Sequence, residues 1–169
     1  MTRDKIIHQS QLVPSLNKFH VGNGSDGKHY WITPPELLTE LSNEFGPFDF
    51  DPCPFPLPDG FDGLTCDWGQ CNYVNPPFGS IVHQGKKKGP TAWVRKAINE
   101  WRKGKTVVLV YPVDKWILML LDVLLGDNAK VRNLGDVQWL AIEDRSVGKG
   151  TGRHIACFVL NHSATKDYK

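Results

Sequence analysis

Apolar residues recur three and four positions apart in some stretches of this chain and alternate or run together in others, so the two periods predict different elements. Leu37, Leu38, Leu41 and Phe45 share one helical face. Thr33-Pro34-Pro35-Glu36 opens that helix, with Thr33 as cap, Pro34 at the first helical position and Glu36 where a capping-box carboxylate belongs. Gly46-Pro47 ends it. Phe48-Asp49-Phe50-Asp51 alternates as a strand does, and a proline-rich irregular stretch follows as far as Gly63. Tyr73-Val74 reads as a short strand that delivers Asn75-Pro76-Pro77-Phe78 at its carboxyl end. After a loop through Pro90, Thr91 caps a helix whose apolar side carries Trp93, Val94, Ala97, Ile98 and Trp101, and Gly104 stops it. The unbroken apolar run 106–111, rich in β-branched residues, predicts a central strand covered on both faces. Residues 114–125 predict a further helix ending at Gly126. Segments 137–142 and 155–160 predict two last strands, antiparallel neighbours joined by the glycine-rich loop 144–153.

Strands alternating with helices imply an α/β fold of compact Rossmann-like type, a mostly parallel sheet with helices on both faces. Ligands in such folds bind where strands end at their carboxyl edges. Asp51-Pro52 and Asn75 to Phe78 both fall at that kind of position. Residues 1–29 lack periodicity and predict a flexible N-terminal arm, leaving 30–169 as a single domain.

Composition narrows the picture. A chain of 169 residues is long enough to bury about 70% of its unfolded surface as one domain. Hydrophobic residues make up 40% and charged residues 22%, ordinary proportions for a globular protein. No apolar run approaches the ~20 residues that cross a bilayer, and the first residues carry no apolar signal region. The expectation is a cytoplasmic protein without membrane attachment or an obligate protein partner. A net charge of +2 neither demands nor excludes nucleic acid. Its distribution is more informative: Lys86, Lys87 and Lys88 lie together between glycines, and Arg145, Lys149 and Arg153 punctuate the loop before the last strand. Such loops contact phosphates, or are simply solvated. Cys53, Cys66 and Cys71 lack the compact paired spacing of a zinc module, so buried thiols are expected and no metal.

Asn75-Pro76-Pro77-Phe78 carries the chemistry. An aromatic exocyclic amine is a poor nucleophile because its lone pair is delocalised into the ring. Acceptors that take both amino hydrogens draw the nitrogen towards a tetrahedral geometry and free that pair. The Asn75 side-chain carbonyl is one acceptor and the Pro76 backbone carbonyl the second. Pro76 and Pro77 fix the backbone so that both stay aimed. Phe78 gives an extruded base a flat face to stack on. The alternative is a stiff turn after a strand.

These residues resemble the Asp/Asn-Pro-Pro-Tyr/Phe motif of amino-methyltransferases. Taken in order with Trp31-Ile32-Thr33-Pro34, Phe48-Asp49-Phe50-Asp51-Pro52 and Pro112-Val113-Asp114-Lys115-Trp116, they resemble the compact phage-type, Dam-like DNA adenine-N6 methyltransferases over residues 30–160. The resemblance implies S-adenosylmethionine as cofactor and DNA as partner, with the target adenine flipped out or already single-stranded. If the chain is phage-encoded, the compartment is the host cell cytoplasm. The cofactor pocket would take Trp31, Thr33, Pro34, Asp51 and Pro52, with Asp49 as a weaker carboxylate and Asp67 meeting the cofactor's adenine ring. Lys115 would meet a phosphate and Trp116 would stack. Each has a plainer reading: Trp31 and Trp116 as core aromatics, Thr33 as a helix cap, Asp51 and Asp67 as turn formers.

Two departures stand out. Asp51-Pro52-Cys53-Pro54 replaces a Gly-x-Gly cofactor loop, and no separate target-recognition domain fits, so sequence reading falls to loops 79–91 and 144–153. The same motif chemistry also suits adenine in RNA or a protein amide, and a non-catalytic nucleic-acid-binding module would keep the fold without the reaction.

Overall fold

Burial alternates residue by residue in the interior strands. In β4 (Thr106–Pro112), Val107, Leu109 and Tyr111 face one cluster of apolar side chains while Val108 and Val110 face another. In β6 (Ile155–Leu160), Ala156, Phe158 and Leu160 join the first cluster, and Ile155, Cys157 and Val159 the second. This is the two-residue period of a pleated strand with both faces covered. The structure, a computed structural model, describes residues 30–126, 129–142, 144–147 and 153–162. The expected N-terminal arm, 1–29, lies outside the described residues.

On either side of this pair lie β1 (Cys71–Val74), next to β4, and β5 (Ala129–Gly135), next to β6, giving a four-stranded sheet in the order β1-β4-β6-β5. The β1/β4 pairing is parallel, and β4/β6 and β6/β5 are antiparallel. The expected mostly parallel, Rossmann-like sheet is therefore corrected to a mixed one. β6 runs against both of its neighbours, and only one of the three pairings is parallel. A strand buried on both faces shows the same unbroken apolar run in either direction, so its sequence does not reveal which way it runs.

Helix α1 (Pro35–Phe45) lays Leu41 into the cluster that holds Val108, Val110 and Cys157. Helix α2 (Pro90–Arg102) lays Trp93, Val94, Ala97 and Ile98 against the opposite cluster. The helix expected over 114–125 divides into a 3₁₀ segment, Lys115–Leu120, and a short α3, Leu121–Leu125. Asp114 caps the 3₁₀ segment, its carboxylate accepting from the Lys115 amide at 2.6 Å. Two other caps differ from expectation. Pro34 is the N-cap of α1 and Pro35 its first residue, so Thr33 is not a cap; Gly89, not Thr91, caps α2.

Four segments depart from what the sequence pattern predicts. Segment 137–142 does alternate, with Val137, Trp139 and Ala141 all buried, but it forms no strand; Leu140 alone makes bridges, to Ile32 and Val147. The edge strand beyond β6 is β5, whose Lys130 and Arg132 make it too polar to stand out, a common guard on exposed edges. Residues 48–51 run beside β1 with a single parallel bridge, Phe50 to Asn72. The loop after Phe78 contains a hairpin, β2 (Ile81–His83) with β3 (Lys86–Lys88). Gln84 and Gly85 turn it at φ 48° and 70°, the left-handed pair that tight hairpins require.

Candidate active site

At the carboxyl end of β1 the chain leaves the sheet as Asn75. Its amide nitrogen donates to the Trp31 carbonyl at 2.8 Å and to the Thr33 hydroxyl at 3.4 Å. The Thr33 oxygen is in turn 2.5 Å from the Tyr73 hydroxyl. With the NH₂ group committed in that direction, Oδ1 is turned the other way. It is buried and has no hydrogen-bond partner among the described residues. A buried acceptor left unpaired costs about 1–3 kcal/mol, so it calls for an explanation. Asn72 also leaves its Oδ1 unpaired, but there the amide ties the Gly69 and Thr106 carbonyls together at the amino end of the sheet.

Pro76 and Pro77 are buried, and the Tyr111 hydroxyl donates to the Pro77 carbonyl at 2.8 Å. The turn is thus fixed by ring closure within it and by a hydrogen bond from β4. Half-buried Phe78 packs perpendicular to Tyr111 and Trp139, with ring centroids 5.9 and 5.2 Å away. It touches both apolar clusters at the sheet's end.

Beside this tip, between α1 and the 48–51 segment, lies a cavity of about 530 Å³ lined by Leu38, Ser42, Phe48, Phe50, Asp51 and Tyr73 among others. That volume suits a small organic ligand. Tyr73 joins the cavity to Asn75 through Thr33. Asp51 accepts from the Cys53 amide at 2.7 Å, yet burial pushes its carboxyl up to about 6. It is a carboxylate short of compensating charge.

The other expected cofactor residues divide. Trp31, Thr33 and Pro34 approach Asn75 as one segment, and Pro52 is buried next to Asp51. Asp49 spends its carboxylate on the Gln70 and Cys71 amides, at 3.1 and 3.0 Å, and so anchors the start of β1. Gly69 permits this, because a Cβ there would collide with Asp49 and Phe50. Asp67 lies apart. It is exposed and pairs with Lys103 at 3.0 Å at the amino end of β1, roughly 13 Å from Asn75 at ~3.3 Å per residue.

Of the expected phosphate contacts, Lys86 and Lys87 are exposed on the hairpin, with Lys88 half-buried; Lys115, Arg145 and Arg153 are exposed, and Lys149 lies outside the described residues. Trp116 is corrected: it is 2% exposed, packed between Tyr111 and Phe158, and offers no stacking face. The four cysteines are free thiols, and no group of metal-ligating side chains occurs among the described residues. No helix of the described residues is long and apolar enough to cross a membrane.

Sequence reading missed Tyr73, Tyr111 and Trp139. Their aromatic character reads as core, which they also are; their polar atoms become meaningful only once the fold sets them around Asn75 and Phe78. The one usable signal was Tyr73, two residues before Asn75. Comparison with known protein families, curated proteins and solved structures finds no match to this chain.

Proposed function

We propose that this chain is an S-adenosylmethionine-dependent DNA methyltransferase acting on the exocyclic N6 amino group of adenine. The observation that carries this reading is the buried, unspent Oδ1 of Asn75. An amide whose NH₂ is already held by Trp31 and Thr33 can meet a ligand only as an acceptor, and an acceptor is what an amine must find before it can attack. The motif resemblance supports the same conclusion, as does the basic hairpin, which suits a phosphate backbone.

The cavity beside Tyr73 fits the cofactor in size and charge. Asp51, whose carboxyl burial holds near 6, is the natural partner for an ammonium or ribose hydroxyls, and the rim of apolar side chains suits an adenosyl group. When bound, S-adenosylmethionine supplies an electrophilic methyl group on its sulfonium. An amine held in line with that methyl group would take it, leaving the electron pair of the C–S bond on sulfur and giving up one proton to water. The chain's own part is to hold the amine. Asn75 Oδ1 accepts one amino hydrogen and the Pro76 carbonyl the other, while Phe78 supports the ring. No covalent intermediate with the protein is needed. Acting on DNA, the protein works in the cytoplasm, that of the host cell if it is phage-encoded.

Purified protein incubated with methyl-labelled cofactor and separate DNA, RNA and protein substrates tests this. Label is expected in DNA, recovered as N6-methyladenine. Label in RNA or protein instead would keep the acceptor chemistry and change the substrate. Binding to DNA without any transfer would leave a non-catalytic module.

A further inference from the structure

Trp139 leaves a second buried polar atom unpaired near the same place. Its side chain is 1% exposed and its Nε1 has no hydrogen-bond partner among the described residues. Ile32 and Leu140 exchange both backbone hydrogen bonds, at 3.0 and 2.9 Å. That isolated bridge joins the immediate chain neighbours of Thr33 and Trp139, and both of those side chains are buried. Thr33 is the residue whose hydroxyl takes the Asn75 amide, and the Trp139 ring packs on Phe78. A donor-only atom and an acceptor-only atom, both buried and unpaired, thus belong to a residue packed on Phe78 and to a residue held by Thr33.

We infer that Trp139 is a specificity-determining residue that donates through its indole N–H to a ring nitrogen of the target base, while Asn75 accepts from the adjacent amino group. This rests on the reading of Asn75 given above and goes beyond it by assigning a second contact of opposite polarity. Adenine presents an amino donor beside a ring-nitrogen acceptor. On the Watson–Crick edge guanine and thymine present a carbonyl acceptor beside a ring N–H, so each would set acceptor against acceptor and donor against donor. Beside N7, guanine sets its carbonyl against the Asn75 oxygen. Cytosine, with an amino group beside a ring-nitrogen acceptor, presents the same pattern as adenine and is left to the size of the site. A buried site built for one pattern rejects the other strongly, because its own polar atoms stay unpaired.

Single-stranded oligonucleotide pools of random sequence, with every adenine kept, replaced by 1-deazaadenine or replaced by 7-deazaadenine, provide the test. Each analogue removes one ring nitrogen and keeps the amino group. The wild type is expected to methylate one of the two analogues about 10- to 100-fold less efficiently than adenine, the effect of one buried hydrogen bond. Trp139→Phe keeps an aromatic ring and removes the N–H. It is expected to lose a similar factor on adenine, to stop discriminating against that analogue, and to bind the cofactor as before. Equal use of all three pools by the wild type overturns the inference, whether or not the variant folds. So does a Trp139→Phe enzyme that still discriminates, the result expected if the indole only braces Phe78. Failure of the wild type to methylate even the adenine pool, or DNA of any kind, would instead remove the methyltransferase reading on which the inference stands.

Discussion

Asn75 and Asn72 are three residues apart on one strand and its exit, and both leave a carbonyl oxygen unpaired. Asn72 is wholly buried and spends its NH₂ stitching β1 to β4, so its role ends in the sheet. Asn75 sits past the end of the strand, and its NH₂ is used to fix the orientation of its oxygen. Asn75→Ala is therefore expected to lower turnover by roughly 10²–10³-fold, as removal of one preorganised acceptor does, with cofactor affinity in calorimetry nearly unchanged. Asp51 gives a pH signature. Burial raises its carboxyl from 3.8 to about 6, so the folded chain holds a proton that the unfolded chain has released. The stability tied to that proton is fully present below about pH 4 and is lost as pH rises through 6, by about 3 kcal/mol. Urea melts across that range should show the loss in the wild type and its absence in Asp51→Asn. Cofactor affinity should run the other way, weakening below pH 6 as the carboxylate is neutralised. At this scale Asn75, the two prolines, Phe78 and Asp51 could be singled out in the sequence, because turn chemistry and charge are local properties. The pairing of Thr33 with Tyr73 could not, since it joins residues 40 positions apart.

Elements were legible where an amphipathic period was strong, as in α1 and α2, and obscure where burial and hydrogen bonding part company. Segment 137–142 has the alternation of a strand because it packs on the sheet face, while β5 makes the ladder with hardly any alternation. The hairpin β2–β3 hid inside a run of lysines and glycines. Its basic strand predicts a measurable interface. Replacing Lys86, Lys87 and Lys88 by glutamine should reduce the salt dependence of DNA binding by about 0.7–0.9 in log–log slope for each phosphate the variant no longer neutralises, and an unchanged slope would remove the hairpin from the interface. Helix α2 depends on another charge arrangement. Fully buried Glu100 accepts from Lys96, Lys103 and Lys105 at 2.9, 2.8 and 2.5 Å, and Lys105 also reaches the Trp68 carbonyl. Burial alone would raise the Glu100 carboxyl, but the lysines outweigh it and hold it at about 2. Glu100→Ala leaves these cations facing one another and should cost about 3 kcal/mol in a denaturant melt. In the wild type this contribution is present above about pH 4.5 and disappears as pH falls through 2.

Across the whole molecule the sheet separates two kinds of site. The carboxyl end of β1 gathers Trp31, Thr33, Asn75 and Phe78 beside the Asp51 cavity; its amino end gathers Asp67, Lys103, Lys105 and Glu100 into a structural ion-pair network. Sequence order placed Asp67 close to Asn75, eight residues away, but β1 runs between them and carries them to opposite ends. Strand direction was likewise invisible, since β6 is apolar on both faces and would read the same if reversed. The proposed methyl transfer to adenine, with Asn75 as acceptor of the amine, is the activity on which every functional assignment depends. The most direct test is a sequencing map of N6-methyladenine in DNA from cells that express either the wild type or Asn75→Ala. Methylated adenines that recur in a short sequence context with the wild type and vanish with the variant are the expected result. Unmodified DNA in wild-type cells, or an unchanged map with the variant, would contradict it.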